Sequence, residues 1–71
     1  MIELIEINTK TINLDQFLKW ANLVSTGGEA KIVINAGKVK VNGEIENRRG
    51  RSLKADDIIE FNNKQYQITT S

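Results

Sequence analysis

The chain has 71 residues, of which 39% are apolar and 27% charged, ordinary proportions for one globular module and too little length for a separate catalytic domain. It contains no Cys and no His, which excludes the usual zinc sites, thiol nucleophiles, Ser-His-Asp triads and disulfides. The acidic residues are scattered without an Asp-rich calcium loop, so no cofactor, no metal and no catalysis are expected. No apolar run nears the roughly 20 residues that cross a bilayer, and no signal-peptide pattern is present, so a cytoplasmic location without a membrane partner is expected. The net charge is only +1, but residues 31–54 carry +5 and the remainder −4, so the charge is polarised along the chain.

Ile2 to Ile7 reads as a strand whose apolar alternation slips between Leu4 and Ile5, which predicts a bulge. Asn13 follows as a helix N-cap, with Gln16 as its capping-box partner and Ile12 placed to staple onto Phe17. Leu14, Phe17, Leu18 and Ala21 form one apolar stripe of a short helix ending near Asn22. A second helix starts at Thr26, whose capping box with Glu29 predicts a returned bond to the cap's own N–H. It should run to Ala36 and close at Gly37, burying Ala30, Val33 and Ile34 and turning Lys31, Asn35 and Lys38 outward. Gly27 and Gly28 in its first turn cost about 1 kcal/mol each relative to Ala, which points to close approach of the backbone to something.

From Lys38 the period becomes two, and Asn42-Gly43 marks a hairpin. A two-residue loop would set Val41 against Glu44 and Lys40 against Ile45, mixing faces. A three-residue connection pairs Val39 with Ile45, Lys40 with Glu44 and Lys38 with Glu46, and is the expected register. A polar loop runs from Asn47 to Ser52, Leu53 returns to the core, and Asp56-Asp57 turns the chain. Ile58–Phe61 and Gln65–Thr69 read as a final hairpin through Asn62-Asn63-Lys64, with Ile59, Phe61, Tyr66 and Ile68 inward. The predicted class is α+β, two short helices packed on a small mixed or antiparallel sheet, as a single domain over residues 1–71.

The sharpest candidate for recognition is Arg48-Arg49-Gly50-Arg51, whose guanidinium groups can grip separated phosphates and repel one another when nothing is bound. A loop kept solvated by its charge is the plainer alternative. Lys31, Asn35, Lys38 and Lys40 extend this surface if the hairpin folds the loop beside the helix, and otherwise form the polar side of an amphipathic helix. The capped N-terminus at Thr26 offers free N–H groups to a phosphate oxygen, although Glu29 sets a negative charge there. Trp20 can stack on a base, but its spacing from Phe17 and Val24 places it in the core, as for Tyr66.

The ordered features, a helix, a capped helix with Ala30-Lys31, then Gly37-Lys38-Val39-Lys40-Val41-Asn42-Gly43, a basic loop, and Leu53 to Ile59, resemble the RNA-binding domain named after small-subunit ribosomal protein four, also called the αL motif. The resemblance covers residues 11–61. It implies binding of structured RNA, ribosomal or transfer, and association with the ribosome, as in the small single-domain bacterial members. The residues carried over are Thr26, Lys31, Lys38 and Lys40, with Arg48, Arg49 and Arg51 matched by region. Gly27 stands where the family commonly has a basic residue, and Asp56-Asp57 replaces its Gly-Asp turn. The alternative expectation is a protein-interaction module that uses the same fold to bind an acidic protein surface.

Overall fold

The computed structural model describes residues 2–70. Strand β1 (Ile2–Ile7) leads into β2 (Thr11–Asn13), helix α1 (Leu14–Trp20) and helix α2 (Gly27–Asn35). Strands β3 (Val39–Val41), β4 (Glu44–Ile45), β5 (Ser52–Lys54), β6 (Ile58–Phe61) and β7 (Lys64–Thr70) follow. Five strands form a mixed sheet in the order β1-β7-β6-β3-β4, and β2 pairs with β5 in a separate two-stranded ribbon. Only the β1–β7 pairing is parallel; the other pairings in the large sheet are antiparallel. The helices cover one face, where Leu14, Phe17, Leu18, Ala30 and Ile34 meet Val39, Ile59, Ile68 and Leu53 in a core closed to solvent.

The bulge expected in β1 is absent. Residues 2–7 pair one-to-one with residues 65–70, and the slipped alternation is resolved by exposing Ile2 and Leu4 while Ile7 is buried. A regular ladder keeps every backbone bond, which outweighs leaving two apolar side chains at the sheet edge.

Helix α1 follows Asn13 and closes at Asn22, near the expected bounds, but its N-terminus is not capped as expected. Asn13 makes no side-chain cap bond; it belongs to β2, opposite Ser52. The first helical N–H groups donate instead to loop carbonyls, Leu14 N to Arg51 O at 2.9 Å and Asp15 N to Arg49 O at 3.1 Å. The helix stops at Trp20 because Asn22 takes a left-handed φ of 58°, allowing Leu23 N to donate to Leu18 O and Asn22 N to Lys19 O. Helix α2 closes in the same way around Gly37, with Lys38 N donating to Val33 O and Gly37 N to Ile34 O. Both are Schellman closures, but only one uses the residue that advertises it. Trp20 is not in the core: it lies off the Leu14–Phe17–Leu18 stripe, half exposed, with its indole N–H donating to Glu6 O at 2.8 Å. Tyr66 is buried as expected.

The β3–β4 hairpin takes the register that face-matching disfavoured: Val41 opposes Glu44 and Lys40 opposes Ile45. Asn42 and Gly43 have φ of 53° and 89°, the two left-handed positions of a type I′ loop whose twist suits the strands it joins. Ile45 consequently faces out at 61% exposure, and the next inward position falls to Glu46, 7% exposed, whose N–H donates to Val39 O. The expected lysine–glutamate pairs across this hairpin do not form. Asn62 and Asn63, with φ of 55° and 64°, make the corresponding loop between β6 and β7.

Asn42 also ties the hairpin to the turn before β6. Its side-chain amide donates to Asp57 Oδ1 at 3.1 Å, its carbonyl oxygen accepts from Ile58 N at 2.9 Å, and Lys54 N donates to Asp57 Oδ2 at 2.9 Å. Burial pushes the Asp57 carboxyl up, but bonds from Lys54 N and Asn42 and the Lys54 charge outweigh it, so its pKa lies below the ordinary 3.8. A depressed carboxylate contributes stability above its unfolded pKa and loses it as pH falls through the folded value. Asp57→Ala, which strands the Lys54 N–H and the Asn42 amide, is expected to cost about 1–3 kcal/mol at neutral pH. Urea unfolding of both proteins should show that difference shrinking below pH 4, where the wild-type carboxyl takes up its proton.

Candidate nucleic-acid interface

The arginine loop is fixed to the protein along its backbone. Arg49 O and Arg51 O receive the first N–H groups of α1, Arg51 N donates to Arg48 O at 3.1 Å, and Ser52 enters the β2–β5 ribbon. The loop carbonyls therefore occupy sites at the helix N-terminus that a side-chain cap or water would otherwise fill.

The guanidinium groups do not simply repel one another. Glu46, which the hairpin register turns inward, accepts from Arg48 Nε at 3.0 Å, from Arg48 N at 3.2 Å and from Arg51 Nη1 at 2.6 Å. The bonds from Arg48 and then Arg51 outweigh burial and lower the Glu46 pKa from 4.5 to about 2, so this carboxylate stays charged at every physiological pH. In return the Arg48 pKa is raised, first by its hydrogen bond to Glu46 and then by the charge of that carboxylate. Arg48 remains 73% exposed and Arg51 35% exposed beyond the bridge, so each keeps N–H groups for a second anion. The two arginines line an open groove whose other wall is Asn42, Glu44 and Ile45 of the hairpin. Arg49 is exposed and has no ion-pair partner among the described residues.

The remaining sequence candidates fall on three neighbouring elements. Thr26 caps α2, its hydroxyl oxygen accepting from Glu29 N at 3.1 Å, while the Glu29 carboxylate accepts from Ser25 N at 2.8 Å rather than from the cap's own N–H. The glycines after it meet no packing demand: a Cβ at Gly27 would have no atom within 4 Å, and one at Gly28 only the Thr26 hydroxyl at 3.8 Å. Lys31 and Asn35 lie exposed on α2. Lys38 and Lys40 line a second open groove with Asn62, Asn63 and Glu60, the residue opposite Lys40 in β6. Lys31, Lys38 and Lys40 form no ion pair among the described residues.

The structure thus gathers the arginines around one carboxylate and Lys38 with Lys40 around the β6–β7 turn. Sequence reasoning missed Glu46. The signal was there in Asn42-Gly43, which sets a two-residue loop and so the inward parity of residue 46, followed by arginines two and five positions on.

Comparison with known proteins agrees with this arrangement of elements. In Bacillus subtilis (strain 168), the probable ribosome maturation protein RlbA is 46% identical over 57 residues, covering 80% of this chain and 80% of that protein. Among solved structures, the crystal structure of 30S ribosomal protein S4e from Thermoplasma acidophilum matches 84% of this chain with a TM-score of 0.64 at 22% identity, a likeness of fold. This chain corresponds to only 32% of the length of that protein. The model of the S4 domain matches residues 5–69, taking in the second half of β1 and most of β7 beyond the stretch whose motifs are legible in the sequence. With that match spanning nearly the whole chain, the protein belongs to the S4 domain family.

Proposed function

We propose that this protein binds structured RNA, ribosomal or transfer, as a ribosome-associated factor of the cytoplasm, acting as a single domain by binding rather than catalysis. The interface runs from the face of α2 with Thr26 and Lys31, through Lys38 and Lys40, to Arg48, Arg49 and Arg51. The observation that carries this reading is the backbone-anchored arginine loop, which presents Arg49 with no carboxylate partner among the described residues and Arg48 and Arg51 in a fixed arrangement. Family membership supports it, as does the name of the Bacillus relative, a probable ribosome maturation protein. Recognition by phosphate position and shape suits a surface with exposed guanidinium groups and no exposed aromatic platform on these elements. Among the described residues no helix is long and apolar enough to cross a membrane.

A docking surface for an acidic protein is the second reading, favoured by the exposure of Ile32 beside Lys31 and of Ile45 opposite Lys40. Its signature is an association that survives nuclease treatment in a protein that binds no RNA.

Titration of a structured ribosomal RNA fragment and of duplex DNA against salt tests the main reading. With about four phosphate contacts, log K against log salt should fall with a slope of roughly −3, RNA being preferred. Absence of RNA binding at low salt overturns the reading. Arg49→Ala removes an exposed side chain but leaves the backbone carbonyl that receives Asp15 N. It should flatten that slope by roughly 0.7–0.9, weaken all RNA sequences alike, and shift unfolding by less than about 0.5 kcal/mol. Gly27→Lys places a cation in open space at the start of α2. If the α2 N-terminus faces phosphate, this variant should steepen the slope by a similar roughly 0.7–0.9; an unchanged slope would remove that end of the helix from the interface.

A further inference from the structure

Arg48 and Arg51 flank a carboxylate that the fold buries, although an inward apolar residue would satisfy the sheet at lower cost. Burying a charge is unfavourable unless it is paired and hydrogen-bonded. The pairing here uses both arginines together, since Arg48 contributes its backbone N–H, Nε and Nη2 and Arg51 its Nη1 to the same two oxygens. Two long side chains that would otherwise sample many rotamers are thereby held at one mutual spacing, above a groove open to solvent. The bridge also cancels one of the three guanidinium charges of the loop, so the surface attracts polyanions less than its arginine count suggests.

We propose that Glu46 is the specificity-determining residue of this surface, holding Arg48 and Arg51 at one spacing so that the loop fits the phosphates of a folded RNA and discriminates against other polyanions. The proposal rests on the RNA-binding reading above. Glu46 acts as a positioning residue, through the arginines and without touching the ligand. Loss of its charge therefore has two opposed effects. It strengthens attraction to any polyanion, and it releases the arginines from the spacing that one ligand matches.

The test compares wild type, Glu46→Gln and Glu46→Asp on the same structured ribosomal RNA fragment and on duplex DNA across a salt series. Circular dichroism and thermal unfolding confirm that each variant is folded. For Glu46→Gln, affinity for duplex DNA should rise roughly threefold with a slope steeper by roughly 0.7–0.9, as expected when the freed guanidinium gains one phosphate contact. The RNA-to-DNA affinity ratio should fall about threefold or more. Glu46→Asp keeps the net charge but is one methylene shorter, so it should lower the ratio too; it carries the test alone if the glutamine variant does not fold. A ratio that stays at the wild-type value in the folded variants, even with both affinities raised, overturns the proposal and leaves Glu46 as a charge term only. A wild-type protein that binds neither nucleic acid overturns the RNA-binding reading itself, and this proposal with it.

Discussion

Two left-handed residues, Asn42 and Gly43, set the geometry on which the rest of the surface depends. A two-residue I′ loop fixes the parity of everything after it, because a shift of one residue moves each side chain to the opposite face. With this parity Ile45 is turned to solvent and Glu46 toward the core, next to Val39. A buried carboxylate then requires donors, and the chain provides them at Arg48 and Arg51. Those contacts curl residues 46–51 back so that their carbonyls reach α1, and the chain emerges into β5 in register with β2. Asn42 itself binds Asp57 and Ile58, so the same turn also orients the start of β6.

The two buried carboxylates do comparable work at opposite sides of this hairpin. Asp57 collects a backbone N–H and a side-chain amide, with Lys54 as a more distant cation at 3.6 Å. Glu46 takes two direct guanidinium contacts. The difference shows in their ionisation. Burial is the largest single influence on Asp57, and its hydrogen bonds and the Lys54 charge together lower the pKa, whereas for Glu46 the arginine bonds come first and bring the pKa to about 2. Charge-assisted bonds to a planar guanidinium are stronger and more directional than those from neutral amides, so Glu46 holds two long cationic side chains where Asp57 holds one short amide, each with a backbone N–H besides.

Much of the fold is legible in the sequence where a local signal and the tertiary demand agree. Helix α2 is an example: Thr26 caps it, Gly37 ends it, and Ala30 and Ile34 are buried between them. The β6–β7 hairpin is another, with its four inward residues in place. The differences come where tertiary contacts replace a local signal. Asn13 precedes α1 as expected, but the carbonyls of Arg49 and Arg51 accept the first helical N–H groups in place of its side chain, and β2 is too short to show a period. The expected hairpin register turns Ile45 toward the core and Glu46 away from it, and the structure has the reverse. Hydrophobic pattern decides register only when no inward polar residue has partners, and those partners lie two and five positions further along the loop. Of the interface candidates, the sequence identifies the cations; which of them are already paired follows from the parity that the Asn42-Gly43 turn imposes on Glu46, two and five residues before its partners.

That pairing changes what a basic loop is. A free arginine carries up to about 2 kcal/mol of rotamer entropy, lost when it docks on a phosphate. For Arg48 and Arg51 much of that loss occurs on folding, when Glu46 fixes them, so in the proposed interface a phosphate would meet donors already in place. The same contact removes charge, which lowers the sequence-independent attraction that dominates binding to nucleic acids at large. Arg49, left without a carboxylate partner among the described residues, keeps its whole positive charge and, in the proposed interface, is the group that attracts a polyanion. On the proposed reading, one untethered and two tethered guanidinium groups divide attraction from fit, and the tethering follows from the inward turn of a single glutamate.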